Sequence, residues 1–255
     1  MRISIRSTYG VTDVCEATTR DMEAARDAGY EALELCVMGG DTPRGWADAM
    51  GAADIEHLLA EGQRTGVPIT SLSSDWVWGY TKDGRAMSDW DEGVAGLRKD
   101  AELARHLGAG YILCHFGTSN GTWDEGKDIL RRAGDAAAEN GVLFGFEASL
   151  FRRSNLGEFD DLLRMLDELD HPAVGAYDHC HYPRMGRPAH EQVEQIGSRL
   201  YGYHSSLLTP ETTDYATLFE TLAAVGYQGD WVFEIEWKHA AEQCALMREL
   251  LTASD

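Results

Sequence analysis

A chain of 255 residues can bury one large core, and 44% hydrophobic with 25% charged residues is the make-up of an ordinary folded protein. A formal net charge of −21 argues against nucleic acid as a partner, because non-specific binding depends on neutralising phosphates with Lys and Arg, and the compact basic pairs are Arg131-Arg132 and Arg152-Arg153. No apolar run reaches the length of a membrane span. Met1 to Arg6 reads as a strand rather than a signal peptide, and the five cysteines, widely spread and without Cys-x-x-Cys spacing, read as free thiols in a reducing cytoplasm.

Short apolar runs alternate with amphipathic segments along the whole chain. The runs are Ile3–Arg6, Ala32–Cys36, Ile69–Ser73, Tyr111–His115, Val142–Glu147, Val174–Asp178, Leu200–His204 and Trp231–Glu236. Helical patterns lie between them at Arg20–Ala28, Ile55–Thr65, Trp90–Leu107, Trp123–Asn140, Phe159–Leu169, Tyr215–Val225 and Ala240–Leu251. Leu103 and Leu107 share one helical face, as a helix lying on a sheet requires. Gly29, Gly66, Gly108, Gly141 and Gly226 each follow a helical stretch and suit a left-handed C-cap, while Thr19, Asp54, Ser88 and Asp214 read as helix starts. The stretch from Cys180 to Leu200, with Pro183 and Pro188, reads as a long loop holding a short helix.

Strand–helix units in this order predict an α/β protein, one (β/α)8 barrel of parallel strands forming a single domain over residues 1–255. A doubly wound sheet competes, but no Gly-x-Gly-x-x-Gly follows the first run. In a barrel the residues that close each strand collect at the C-terminal mouth. Glu147, Asp178, His204 and Glu234 close successive runs. Any one strand-end acid is more often structural; the recurrence is what points to a site. Three carboxylates gathered in a barrel mouth call for a divalent cation. Hard oxygen ligands with one imidazole favour Mn²⁺, Mg²⁺ or Co²⁺, with Zn²⁺ also compatible.

Other residues would surround that centre. His115 ends the fourth run and looks into the mouth, unless it merely packs under Phe116. In Asp178-His179-Cys180-His181, His181 can turn back over the mouth as a substrate contact while His179 points away. If the last run is a strand throughout, Glu236 shares a face with Glu234 about 6.5 Å further along, a substrate contact or a solvated carboxylate beside Trp237. Trp76, Trp78, Tyr80, Phe116, Trp123, Phe151 and Trp237 crowd the segments that would form the mouth, and aromatic faces stack on the C–H faces of sugars. Trp76 and Trp78 read almost equally well as a lid or as a surface toward another copy or subunit. Arg152 and Arg153 read as surface.

Several segments resemble the xylose-isomerase-like barrel family of sugar phosphate isomerases and epimerases, a family related to the endonuclease IV type of barrel. They are Ala28-Gly29-Tyr30-Glu31-Ala32-Leu33-Glu34-Leu35, Leu107-Gly108-Ala109, Gly145-Phe146-Glu147, Asp178-His179-Cys180-His181, Tyr203-His204, and Val225-Gly226-Tyr227-Gln228-Gly229 leading to Glu234. The resemblance implies that Glu147, Asp178, His204 and Glu234 bind one divalent metal, that His181 binds substrate, and that Glu147 and Glu234 move protons. It departs from the ketose epimerases after the seventh run, where His204-Ser205-Ser206-Leu207-Leu208-Thr209-Pro210 carries no Arg, and from the nucleases at Ser73-Ser74-Asp75, which has no histidine. The expected activity is a metal-dependent isomerase or epimerase of a ketose or keto-polyol, with His115 as a further acid or base. The alternative is a lyase on the same site, dehydrating an inosose or cleaving an oxidised C-glycoside. A third class, a sugar-binding or complex-forming subunit without catalysis, is disfavoured by the intact ligand set.

Overall fold

A computed structural model describes residues 1–8, 11, 13–37, 50–74, 76, 90–116, 122–148, 159–179 and 187–254. In chain order the elements are β1 (Arg2–Arg6), α1 (Val14–Ala28), β2 (Ala32–Cys36), α2 (Ala52–Thr65), β3 (Ile69–Ser74), α3 (Trp90–Leu107), β4 (Tyr111–Phe116) and α4 (Trp123–Ala138). They continue with β5 (Leu143–Ala148), α5 (Phe159–Leu169), β6 (Val174–His179), α6 (Ala189–Ile196), β7 (Leu200–Ser205), α7 (Tyr215–Ala224), β8 (Asp230–Phe233) and α8 (Ala240–Ser254). The strands run β1 to β8 in sequence order as one closed parallel barrel, and β8 pairs back onto β1. The (β/α)8 expectation holds.

Parallel strands covered on both sides need apolar residues on both faces, and β2, Ala-Leu-Glu-Leu-Cys, is buried at every position. The helices supply the outer cover. In α5 the buried residues Phe159, Leu162, Met165, Leu166 and Leu169 recur every three or four positions, one stripe of a 3.6-residue period. Gly29 and Gly66 close α1 and α2 with φ of 92° and 74°, the left-handed C-cap that a side chain would oppose. Among the described residues no helix is long and apolar enough to cross a membrane. Cys15, Cys36, Cys114 and Cys244 form no disulfide with one another, and Cys180 lies outside the described residues.

Three of the boundaries that differ from the sequence reading have a clear local reason. Helix α1 starts a turn and a half before Arg20, because Asp13 caps it by accepting from the Glu16 amide at 2.9 Å; Thr19 sits within the helix and donates to the Cys15 carbonyl. Asp54 is not the first cap of α2 but reaches back from its first turn to the Gly51 amide at 2.8 Å. Strand β8 ends at Phe233 rather than Glu236. The Glu234 amide adds one more bond to the Ser205 carbonyl, 2.8 Å, and the chain then bends into a 3-10 turn at Trp237–His239. Glu234 and Glu236 therefore do not share a strand face.

An ion pair stands at each end of the closing seam between β1 and β8. At the N-terminal end Arg2 Nε lies 2.7 Å from the buried Asp230, which also accepts from Thr70 Oγ1 at 2.5 Å. At the C-terminal end Arg6 Nη1 lies 2.5 Å from Glu234 Oε1.

Candidate active site

Glu34, in the middle of β2, is a carboxylate with no solvent exposure. Burying that charge is costly unless it is fully hydrogen-bonded, and four donors reach it across the barrel interior. Ser71 and Ser73 donate from β3, Tyr177 Oη from β6 at 2.8 Å, and His204 Nε2 stands 2.9 Å away on β7. Burial opposes ionisation, but the His204 charge and the bonds from His204, Ser73 and Tyr177 outweigh it and hold the carboxyl down at about 2. His204 is in turn held protonated, up to about 10, because Glu34 and Glu234 outweigh the burial that would discharge it.

Above this layer lie the residues of the mouth. His204 Nδ1 is 3.6 Å from Glu234 Oε2, and His179 Nε2 is 3.7 Å from the same oxygen. Against burial, the nearby His179 and His204 rings and the charge of Arg6 keep Glu234 ionised below the usual carboxylate range. On the neighbouring side, His115 and Glu147 stand opposite one another in register on β4 and β5, with His115 Nε2 3.4 Å from Glu147 Oε2. Burial pushes Glu147 up to about 8, and the nearby charges of Glu234 and Asp178 add to it. Burial likewise pushes His115 down to about 4.

Strand β6 carries the main surprise. Its pairing with β7 shifts between Ala176 and Tyr177, so that Tyr177 faces Gly202, Asp178 faces Tyr203 and His179 faces His204. Alternation then puts His179 on the side of His204, and its ring meets the His204 ring edge-on at 6.0 Å. The expectation that His179 points away is corrected by this shift. Asp178 is buried, pushed up to about 6 by desolvation, and near enough to raise Glu147.

The structure thus places His115, Glu147, Asp178, His204 and Glu234 at one end of the barrel, with Asp178, between Tyr177 and His179, on the face of β6 away from His204. In this geometry no three His, Cys, Asp or Glu among the described residues stand close enough together to hold a metal ion. The donor set nevertheless fits a divalent cation. Glu147 Oε2, Asp178 Oδ2 and His204 Nδ1 are buried and have no hydrogen-bond partner among the described residues, and a buried orphan of this kind calls for an unseen partner. Two hard oxygens and one imidazole nitrogen are what such a cation takes.

The peripheral expectations divide. Glu236 is exposed and pairs with Lys238 at 2.5 Å. Trp237 is half-buried and donates its indole N–H to Thr8 Oγ1 at 3.0 Å, at the rim by β1. Trp76 is buried with its ring seated over Gly96 of α3, where a Cβ would overlap it; it is a packing residue of that helix. Trp123 donates to Glu168 at 2.9 Å beneath Arg164, on the outer side of α4 and α5. Trp78, Tyr80, His181, Phe151, Arg152, Arg153 and the side chain of Phe116 lie outside the described residues. Glu34, Arg6, Tyr177 and His179 are the participants that sequence reasoning did not single out. A signal existed for two of them: Glu34 is a charge inside an apolar run, and Arg6 closes the first run as the acids close the later ones.

A family model described as a xylose isomerase-like TIM barrel matches residues 22–252. No curated protein sequence matches the chain significantly. Among solved structures, the 3-keto-D-glucoside 4-epimerase of E. coli superposes with a TM-score of 0.73 at 17% identity, over 98% of this chain and 99% of the other. The D-allulose 3-epimerase of a Methylomonas species superposes with a TM-score of 0.76 at 16% identity, over 100% and 97%. A protein named IOLI, with a bound zinc atom, gives 0.72 at 16% over 100% and 98%.

Proposed function

Because the chain belongs to the xylose isomerase-like TIM-barrel family, we propose that it is a divalent-metal-dependent isomerase or epimerase that moves a proton on the carbon next to the carbonyl of a ketose or keto-polyol. The observation that carries this reading is geometric: Glu147 Oε2 and His204 Nδ1 are buried without a hydrogen-bond partner among the described residues, with Glu234 Oε2 3.6 Å from His204 Nδ1 and His115 Nε2 3.4 Å from Glu147 Oε2. Glu147, His204 and Glu234 would hold the cation, and Asp178, near the end of β6, would join them by turning toward His204, with Mn²⁺ the ion these ligands suit best. When bound, it acts as a Lewis acid on the carbonyl oxygen and acidifies the neighbouring C–H.

The protein's own groups account for the proton movements. One carboxylate takes the proton from carbon and the other returns one, and a return on the opposite face inverts the centre. His115 Nε2, 3.4 Å from Glu147 Oε2, stands where it can pass on the proton that Glu147 takes. Arg6 keeps Glu234 in place by its 2.5 Å contact. The two epimerases among the structural neighbours support a sugar ketone as substrate, and the zinc bound by IOLI supports a divalent ion. Free thiols suit a reducing compartment such as the cytoplasm.

His115 beside Glu147 also favours a second reading, a lyase in which His115 protonates a leaving group β to the carbonyl. Both readings are tested by incubating ketoses, inososes and 3-keto-glycosides with the protein and Mn²⁺ in D₂O. Deuterium next to the carbonyl at otherwise unchanged composition is expected; loss of water or an aglycone would assign the lyase. Turnover that keeps the original hydrogen at that carbon would refute proton transfer.

A further inference from the structure

We propose that Glu34 is the positioning residue of the metal centre: it accepts the Nε2 proton of His204 and so presents Nδ1, on the opposite edge of the ring, to the mouth. This rests on His204 being a metal ligand, as proposed above, and assigns a role to a carboxylate that touches neither metal nor substrate.

Geometry carries the assignment. His204 has two distinct edges. Nε2 faces Glu34 Oε1 at 2.9 Å, and Nδ1 faces Glu234 and has no hydrogen-bond partner among the described residues. Imidazole binds a metal through one nitrogen, and the hydrogen bond made by the other decides which nitrogen that is. Glu34 is itself immobilised: Oε1 takes Ser73 and His204, Oε2 takes Ser71 and Tyr177, and no solvent reaches it. Tyr177 is seated by two glycines on the flanking strands. A Cβ at Gly145 of β5 would stand 2.8 Å from its ring, and a Cβ at Gly202 of β7 would overlap the ring outright. Residues of five strands, β2, β3, β5, β6 and β7, therefore serve the placement of one carboxylate. A buried negative charge with no exposed face does nothing for solubility. Among the described residues its one charge partner at hydrogen-bond distance is His204.

The test measures Mn²⁺ affinity by calorimetry, with circular dichroism as the check on folding, for the wild type, Glu34→Gln and Tyr177→Phe. The amide keeps the shape of Glu34 and removes the charge, so Mn²⁺ binding is expected to weaken about 10–100-fold with secondary structure retained. Tyr177→Phe keeps the ring between its two glycines and removes only its bond to Glu34, so a weakening of a few fold is expected. A folded Glu34→Gln protein that binds Mn²⁺ as the wild type does overturns the assignment. If Glu34→Gln fails to fold, wild-type affinity in Tyr177→Phe overturns it instead. A wild type that binds no Mn²⁺ overturns the metal-dependent function and this role together. Wild-type binding with unchanged variants overturns the Glu34 role alone.

Discussion

Gly202→Ala places one methyl group where the Tyr177 ring lies, and the structure allows its cost to be worked through. Carbon atoms pack at about 3.5–4.0 Å, and the new Cβ would overlap Cε2, Cζ and Cδ2 of the ring. The ring cannot retreat toward β5, because it is already within 2.8 Å of where a Cβ on Gly145 would be. It must leave its seat, and its hydroxyl then leaves Glu34. Forced overpacking costs about 1–3 kcal/mol, and losing a hydrogen bond to a charged acceptor costs about 1.5–3 kcal/mol more. A total of about 2.5–6 kcal/mol, at about 2–4 °C per kcal/mol for a protein near this size, lowers the melting temperature by about 5–24 °C. Scanning calorimetry would measure it beside Gly110→Ala, where no atom lies within 4 Å of the new methyl and little change is expected. In a Tyr177→Ala background the same Gly202→Ala change should cost almost nothing. A Gly202→Ala protein melting within about 2 °C of wild type would refute the account of the Tyr177 seat.

Two further predictions concern the mouth. Glu147→Gln or Asp178→Asn should abolish both Mn²⁺ content and turnover, read by elemental analysis and by the deuterium-exchange assay; full metal occupancy in either variant would remove that residue from the ligand set. Without metal, stability should be greatest in mildly acidic buffer and fall on both sides. Glu34 is depressed to about 2 in the fold, so its contribution is present above the ordinary carboxylate range and is lost as pH falls toward 2. His204 is raised to about 10, so its contribution is complete below the ordinary histidine range and is lost as pH rises toward 10. Asp178, raised to about 6, loses its contribution between the ordinary carboxylate range and about pH 6, and Glu147, raised to about 8, loses its own by about pH 8. Melting temperatures in EDTA across pH would check this, and a flat alkaline limb would contradict it.

The barrel was legible because its evidence is local. Each strand is a short apolar run and each helix a stripe, and β2, α3 and α5 begin and end where composition places them. Residues that close strands were legible for the same reason, which is how Glu147, His204 and Glu234 became candidates. What escaped depends on register. No pattern in Val174–His179 announces that β6 slips against β7, yet that slip decides whether Asp178 or His179 shares a side with His204. Glu236 was misplaced because alternation was carried past Phe233 into residues that leave the strand for a 3-10 turn. Glu34 escaped because its partners Tyr177 and His204 are 143 and 170 residues away in sequence, and only closure of the barrel brings them near.

The two ion pairs of the β1–β8 seam each span 228 residues. On a ribosome, β1 emerges first and must hold one edge open until β8 has been synthesised, so the seam is the last long-range pairing available to the nascent chain. Arg6 meets Glu234 at that same moment. Joining the barrel and bringing Glu234 to its mouth are then one event, and a partly made chain has neither the closed wall nor the carboxylate that follows β8.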